Sequence, residues 1–361
     1  MKGWKGNSTV NFGHRRVGDG EPCFITFEAG PTHSGLESAK RLVDLAAKAG
    51  ADAVKFQMTD ADRIVADRSL PFTYTVLTDR VEGTVETVTE PLYDILKRRE
   101  LSFEQWREVK DHADSLGVAV FFTVGFDDLV DRVVEIGCHS IKIASADVNH
   151  FPLIRKAART GLCIQLDSGN ATMGEIERAL DVILDEGNKN IIIHNCPSGY
   201  PARLDSINLR FIPTLKRAFG FPVAYSDHVP GWEMDVAALA FGANLVEKTI
   251  TEDRCTRSIE HMFSLDPTTM HEFVSTIKNV EKAFGNKRRR LTVSERTARK
   301  KIRRSTYLVE KASAGTRLRD VSVTFSRPGD GIGPDLYEEL LDLLLATDLP
   351  AGHKLAFTDL R

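Results

Sequence analysis

The chain of 361 residues carries 48 Lys and Arg against 51 Asp and Glu, a formal net charge of −3, with 42% hydrophobic and 27% charged residues. That composition is globular and long enough for a barrel with an appendage. It gives no global pull toward nucleic acid or anionic membrane.

No apolar run approaches the roughly 20 residues that span a bilayer, and the polar N-terminus lacks the apolar stretch of a signal peptide. Five cysteines (Cys23, Cys138, Cys163, Cys196, Cys255) show no CxxC spacing. They read as reduced thiols of a cytoplasmic protein.

Residues 1–22, rich in Gly and charge, read as a ragged lead-in. From Cys23 the pattern becomes regular. Phe24-Ile25-Thr26-Phe27 is a buried-type strand, and the turn around Gly30 and His33 leads into an amphipathic helix over 36–49 that Gly50 ends. Residues 53–57 are the next strand. Further strands are expected over 118–123, 140–143, 163–166, 191–194, 223–225 and 244–247. Between them lie helical stretches at about 102–115, 126–136, 151–159, 172–187, 206–218, 231–241 and 267–284. Eight strands alternating with helices predict an α/β fold, a (β/α)8 TIM barrel. The rival, an open doubly wound sheet, is weakened because no GxGxxG follows the first strand. Residues 60–101 are long for a connection and read as a loop covering a substrate. Residues 286–304 form a dense basic run without interleaved aromatics, read as a solvated linker rather than a nucleic-acid arm.

Lys55 and Lys142 each end an apolar strand, where a lysine costs desolvation unless an anion meets it. A rim salt bridge is the bland alternative for both. Glu28 ends the first strand, where its bland reading is a structural partner for Lys55. Asp147 and Glu260 read equally as surface acids. Arg327 reads as a turn residue before Pro328.

The motifs from 226 onward carry a resemblance. Ser226-Asp227-His228, then Glu247-Lys248-Thr249, then Glu260-His261-Met262-Phe263-Ser264 follow the order S-D-H, E-K-H, D-H-x-x-S. This order resembles the sialic acid synthase family. Thr249 stands where the family has its second histidine, and Glu260 where it has aspartate. Near the C-terminus, Ala314-Gly315-Thr316-Arg317-Leu318 is echoed by Ala351-Gly352-His353-Lys354-Leu355. With Arg304-Ser305 and the Arg327–Pro334 turn, this looks like the small antifreeze-like (SAF) β-clip domain that closes such synthases.

The resemblance covers about residues 23–361. It implies a lead-in over 1–22, a barrel over 23–285, a basic linker over 286–304 and an SAF domain over 305–361. It also implies condensation of phosphoenolpyruvate (PEP) with an aldose of the N-acylhexosamine type, giving a nonulosonic-type α-keto acid and phosphate. The alternatives are a relative with another acceptor or other metal use, and a catalytically silent sugar-binding or regulatory homologue. On the family's pattern Glu28 and His228 are catalytic. Lys55, Gln57, Thr123, Lys142, Ser145, Ser168 and Ser198 face PEP, and Asp147, Tyr200, Glu260 and Arg327 face the sugar. A divalent metal, Mn2+ or Mg2+, is implied at His228. Thr249 occupies the second ligand position, and Asp167 and His261 are possible substitutes. The implied partners are PEP, an aldose and a second copy in a domain-swapped homodimer, with no nucleic acid and no membrane.

Overall fold

Eight parallel strands close into a barrel in the computed structural model, which describes residues 6–361. They are β1 (Phe24–Glu28), β2 (Ala53–Met58), β3 (Ala119–Val124), β4 (Ser140–Ile143), β5 (Cys163–Asp167), β6 (Ile191–Asn195), β7 (Val223–Asp227) and β8 (Leu245–Thr249). β8 pairs back onto β1, so the sheet has no edge. The strands are apolar runs buried on both faces, as parallel sheets require.

Each strand is followed by a helix: α1 (Leu36–Ala49), α2 (Phe103–Ser115), α3 (Asp127–Glu135), α4 (Phe151–Arg159), α5 (Met173–Asp185), α6 (Phe211–Phe219), α7 (Glu233–Ala240) and α8 (Met270–Phe284). Local chemistry sets their ends. Ser102 with Gln105 and Thr172 with Glu175 form capping boxes that satisfy the first N–H groups of α2 and α5. Gly50, at φ 85°, closes α1, whose Leu42, Val43 and Ala46 are buried against the barrel.

The lead-in is not ragged. Thr9–Phe12 pairs with Arg15–Gly18 in a hairpin whose Val10, Phe12 and Val17 are buried. They join Phe24, Ala53, Phe121, Cys163, Ile192, Ala224 and Leu245, the inward residues at the N-terminal end of the strands. Phe12 packs 4.7 Å from the Phe24 ring and 5.4 Å from Phe121. The hairpin therefore plugs the barrel floor, and its alternating apolar residues are too few to stand out from the surrounding Gly and charge. Residues 1–5 of the lead-in lie outside the described residues.

Residues 60–101 are also more ordered than a loop. Pro71–Leu77 and Val85–Pro91 form an antiparallel hairpin that runs directly into the helix Leu92–Lys97. Tyr74, Val76, Val88 and Ile95 pack with Ile259 into a small core of their own.

The chain parts into two compact units between Phe284 and Gly285. The basic run expected as linker includes a ten-residue helix, Val293–Ile302, capped by Thr292 with Glu295 and with no buried residue. In the second unit Ser305–Leu308 pairs with Val323–Ser326 over a core of Leu308, Leu318, Ile332, Leu345, Leu349 and Leu355. The two echoed motifs turn alike, with Gly315 at φ 82° and Gly352 at φ 77°. Among the described residues no helix is long and apolar enough to cross a membrane.

Candidate active site

A cavity of about 560 Å3 opens at the C-terminal ends of the barrel strands. Its floor is an alternating chain of buried charges. Lys55 on β2 ion-pairs with Glu28 on β1 and lies 3.3 Å from Glu247 on β8. Glu247 in turn sits 2.7 Å from Lys142 on β4, and Lys142 sits 3.0 Å from Asp167 on β5. Ser226 donates to Glu247 at 3.0 Å, and Lys55 lies 3.4 Å from the Thr123 hydroxyl. Strand alternation explains the set, because these side chains all point into the barrel above the apolar floor.

Two ammonium groups thus face three carboxylates. Burial alone lowers a lysine pKa, yet the carboxylates outweigh it and hold both Lys55 and Lys142 above their ordinary value. Burial raises Asp167, partly opposed by Lys142. Glu247 is driven the other way, its desolvation outweighed by Lys142 and Lys55, and stays ionised.

Two glycines permit this packing. A Cβ on Gly30 would meet Gln57 Cγ at 2.6 Å and Glu28 Oε1 at 2.8 Å, the oxygen that accepts the Gly30 N–H at 2.6 Å. A Cβ on Gly169 would meet the Ser145 hydroxyl at 2.5 Å, which accepts the Gly169 N–H at 3.0 Å.

The cavity brings together Glu28, Lys55, Gln57, Thr123, Lys142, Ser145, Asp147, Asp167, Tyr200, His228 and Glu260. Two expected PEP contacts fall elsewhere. Ser168 follows the inward Asp167 and therefore turns away, donating to the His194 carbonyl at 2.6 Å. Ser198 is left outside by the Gly199–Ala202 bridge that returns Tyr200 to the cavity. Both line a neighbouring cavity of about 590 Å3 that shares only Cys196 with the first. Arg327 belongs to the second unit, in the turn after Val323–Ser326.

On the upper wall the Tyr200 ring lies 4.8 Å from the His228 ring. Burial, followed by the Glu28 charge, pushes the Glu260 carboxyl up to about 8. His228 is lowered to about 4 by burial, so its imidazole is neutral. Its Nδ1 is 3.2 Å from the Pro197 carbonyl, which makes Nδ1 the protonated nitrogen and leaves Nε2 as a lone-pair donor.

The two-histidine metal site implied by the resemblance is not complete in this chain. The Thr249 hydroxyl donates to Glu260 at 3.2 Å and offers no imidazole. The possible substitutes do not supply one either. Asp167 is committed to Lys142, and His261 Nδ1 is held 2.7 Å from the Thr251 hydroxyl, off the cavity wall. Among the described residues no three His, Cys, Asp or Glu side chains converge in a ligand set. A donor set of one imidazole does not fit a tightly held divalent ion.

Sequence reasoning missed Glu247 and Arg99. Period-two alternation along Leu245–Thr249 puts Glu247 on the same inward face as Thr249, and that signal could have found it. Lys248 points the other way, into a buried pairing with Asp227. Arg99, 7% exposed in the cavity wall, sits in a charged run that looks solvated.

The sequence profile of the NeuB family matches residues 42–289. The N,N'-diacetyllegionaminic acid synthase of Legionella pneumophila is 32% identical over 355 residues, covering 97% of each chain. Human N-acetylneuraminate-9-phosphate synthase is 31% identical over 308 residues, 84% of this chain and 83% of that one. Among solved structures, the N-acetylneuraminic acid synthetase of Leptospira borgpetersenii in complex with citrate superposes with a TM-score of 0.70 at 28% identity. That match covers 82% of this chain and 96% of the other. Matched by the profile over most of its barrel and by relatives along nearly its whole length, the chain belongs to the NeuB family.

Proposed function

We propose that the cavity condenses PEP with an aldose of the N-acylhexosamine type, forming a carbon–carbon bond and releasing phosphate and an α-keto acid. The buried Lys55–Glu247–Lys142 arrangement beside Glu28 carries this reading. The names of the relatives, an N,N'-diacetyllegionaminic acid synthase and an N-acetylneuraminate-9-phosphate synthase, point to the same chemistry.

PEP is highly anionic, and the two ammonium groups already hold carboxylates. Its entry requires a carboxylate to swing away or take a proton, and burial shifts Asp167 toward its protonated form. Thr123 and Ser145 offer hydroxyls beside the lysines. PEP C3 then attacks the aldehyde carbon, whose oxygen takes up a proton. Water adds at the electron-poor C2, giving its proton to Glu28. The tetrahedral centre collapses with cleavage of the C2–O bond, phosphate leaves, and C2 becomes the keto group. None of these steps is assigned to a metal.

A second reading, a relative with changed metal use, is favoured by the Thr249–Glu260 hydrogen bond. We further read 305–361, within the second compact unit, as an SAF domain and the assembly as a cytoplasmic, domain-swapped homodimer to which Arg327 contributes across subunits. Mixing Glu28→Gln chains with Arg327→Ala chains should then restore activity, and ultracentrifugation showing monomer alone would remove that part.

Phosphate release from PEP with a panel of aldoses, with and without added Mn2+, tests the function. Release that needs both PEP and an aldose supports condensation. No release with any aldose under either condition supports the silent homologue instead.

A further inference from the structure

Arg99 follows the short helix Leu92–Lys97 and lies in the wall of the main cavity, nine-tenths buried. Its Nε donates to the Ile95 carbonyl at 3.0 Å, which anchors the side chain. Its two terminal nitrogens have no acceptor among the described residues, and no carboxylate stands within ion-pair distance. The other cations of this cavity are all engaged. Lys55 and Lys142 hold the floor carboxylates, and Arg63 grips Asp128 at 2.8 and 3.0 Å. Its neighbour Arg98 is likewise fork-bound to Glu90, at 2.7 and 2.8 Å.

A guanidinium stays charged in proteins, and the terminal nitrogens of Arg99, not among the buried unpartnered atoms, are open to the cavity. Burial lowers the pKa of Arg99, and the more distant Glu260 only partly opposes this. A flat pair of free terminal nitrogens matches the two oxygens of a carboxylate or phosphate. The position decides which substrate supplies them. Arg99 enters from the inserted segment, which also brings Phe72 to the cavity, and not from the barrel strands that carry the lysine pair; Glu260 and then Glu28 are the carboxylates whose charge reaches it.

We propose that the acceptor itself bears an anionic group, a carboxylate or a phosphate ester, and that Arg99 binds it through its terminal nitrogens. The proposal rests on the PEP-plus-aldose reading and names the class of its second substrate. An apolar lining of Phe72, Ile95 and Ile259 around one guanidinium favours a single charged end on an otherwise uncharged molecule.

Calorimetry on the full chain tests this without turnover. The probes are N-acetylglucosamine 6-phosphate, glucuronate, neutral N-acetylglucosamine and PEP. At least one anionic aldose should bind about tenfold or more tighter than the neutral one. Arg99→Leu should remove that advantage while leaving PEP affinity within about threefold. Arg99→Lys, which keeps charge but loses the fork, should fall between. Whichever of glucuronate or the 6-phosphate shows the larger Arg99-dependent difference identifies the group. Equal binding of neutral and anionic aldoses by the unsubstituted protein overturns the proposal, and that arm decides even if Arg99→Leu fails to fold. Loss of PEP binding in Arg99→Leu with aldose binding unchanged also overturns it, assigning Arg99 to PEP. Because binding is read directly, the role of Arg99 is decided even in a chain that releases no phosphate. Conversely, robust turnover of neutral aldoses, indifferent to Arg99→Leu, removes this inference and leaves the condensation reading standing.

Discussion

Replacing Lys142 by Met keeps most of the unbranched stem, one atom shorter, and deletes the charge shared by Glu247 at 2.7 Å and Asp167 at 3.0 Å. Lys142 is 2% exposed, so bulk solvent screens its charge little. Removing one partner of a buried ion pair costs about 3–5 kcal/mol, a large share of the about 5–15 kcal/mol that holds a domain folded. Glu247 keeps Lys55 at 3.3 Å and the Ser226 hydroxyl, whereas Asp167 loses the one ammonium group within ion-pair reach. The lower end, about 3 kcal/mol, is therefore expected.

The deficit should depend on pH. Burial already raises Asp167, and Lys142 is the main influence holding it down. Without Lys142 its folded pKa climbs further above the ordinary value of about 3.9. A folded pKa raised above the unfolded one contributes stability that is fully present below the unfolded value and lost as pH rises through the folded value. The variant should thus approach the unsubstituted protein as pH falls toward about 3.9 and fall further behind as pH rises above that value. Adding Asp167→Asn should recover part of the loss at the higher pH. Urea unfolding followed by tryptophan fluorescence, to which the buried Trp106 contributes, gives the stabilities. Calorimetry should show PEP affinity reduced at least about tenfold. Stability within about 0.5 kcal/mol of the unsubstituted protein at about pH 7.5, together with unchanged PEP affinity, would refute both the electrostatic account and the pocket assignment.

Thr249→His should tighten Mn2+ binding by tens- to hundreds-fold, since a second ligand worth a few kcal/mol converts at about 1.4 kcal/mol per factor of ten. Tight Mn2+ binding by the unsubstituted chain, unimproved by the substitution, would show that another donor set operates. Phe12→Ala should destabilise the barrel by about 3 kcal/mol, because it empties a fully packed site against Phe24 and Phe121. An unchanged urea midpoint would mean that the hairpin is not part of the core.

Much of the fold could be read from the chain because its determinants are local. Each barrel strand is a short apolar run, and Gly or a capping box punctuates the helices, as at Gly50 and Ser102. The floor lysines were legible too, since Lys55 and Lys142 interrupt apolar strands. Glu28 was legible as a partner for Lys55, whereas Glu247, which both lysines meet, was not recognised. Glu247 is 105 residues from Lys142: alternation along β8 marks it as inward, but only closure of β8 onto β1 brings it to the lysines. Ser168 illustrates the sharpness of strand alternation, one residue placing it in a different cavity from Asp167. Arg99 looks solvated within Lys97-Arg98-Arg99-Glu100 because its burial is decided by the inserted hairpin and helix packing onto Ile259. Val10 and Phe12 form a two-residue apolar pattern that means little until a barrel floor is present to receive it.

The central claim, that this cavity joins PEP to an aldose, is tested most directly by following the oxygen that bridges C2 and phosphorus. PEP labelled with 18O at that position is incubated with the purified chain and an aldose that supports turnover, and both products are examined by mass spectrometry. The account predicts one α-keto acid formed per phosphate, with the label in phosphate and solvent oxygen at C2. Phosphate free of label, released by cleavage at phosphorus with pyruvate as the other product, would contradict it.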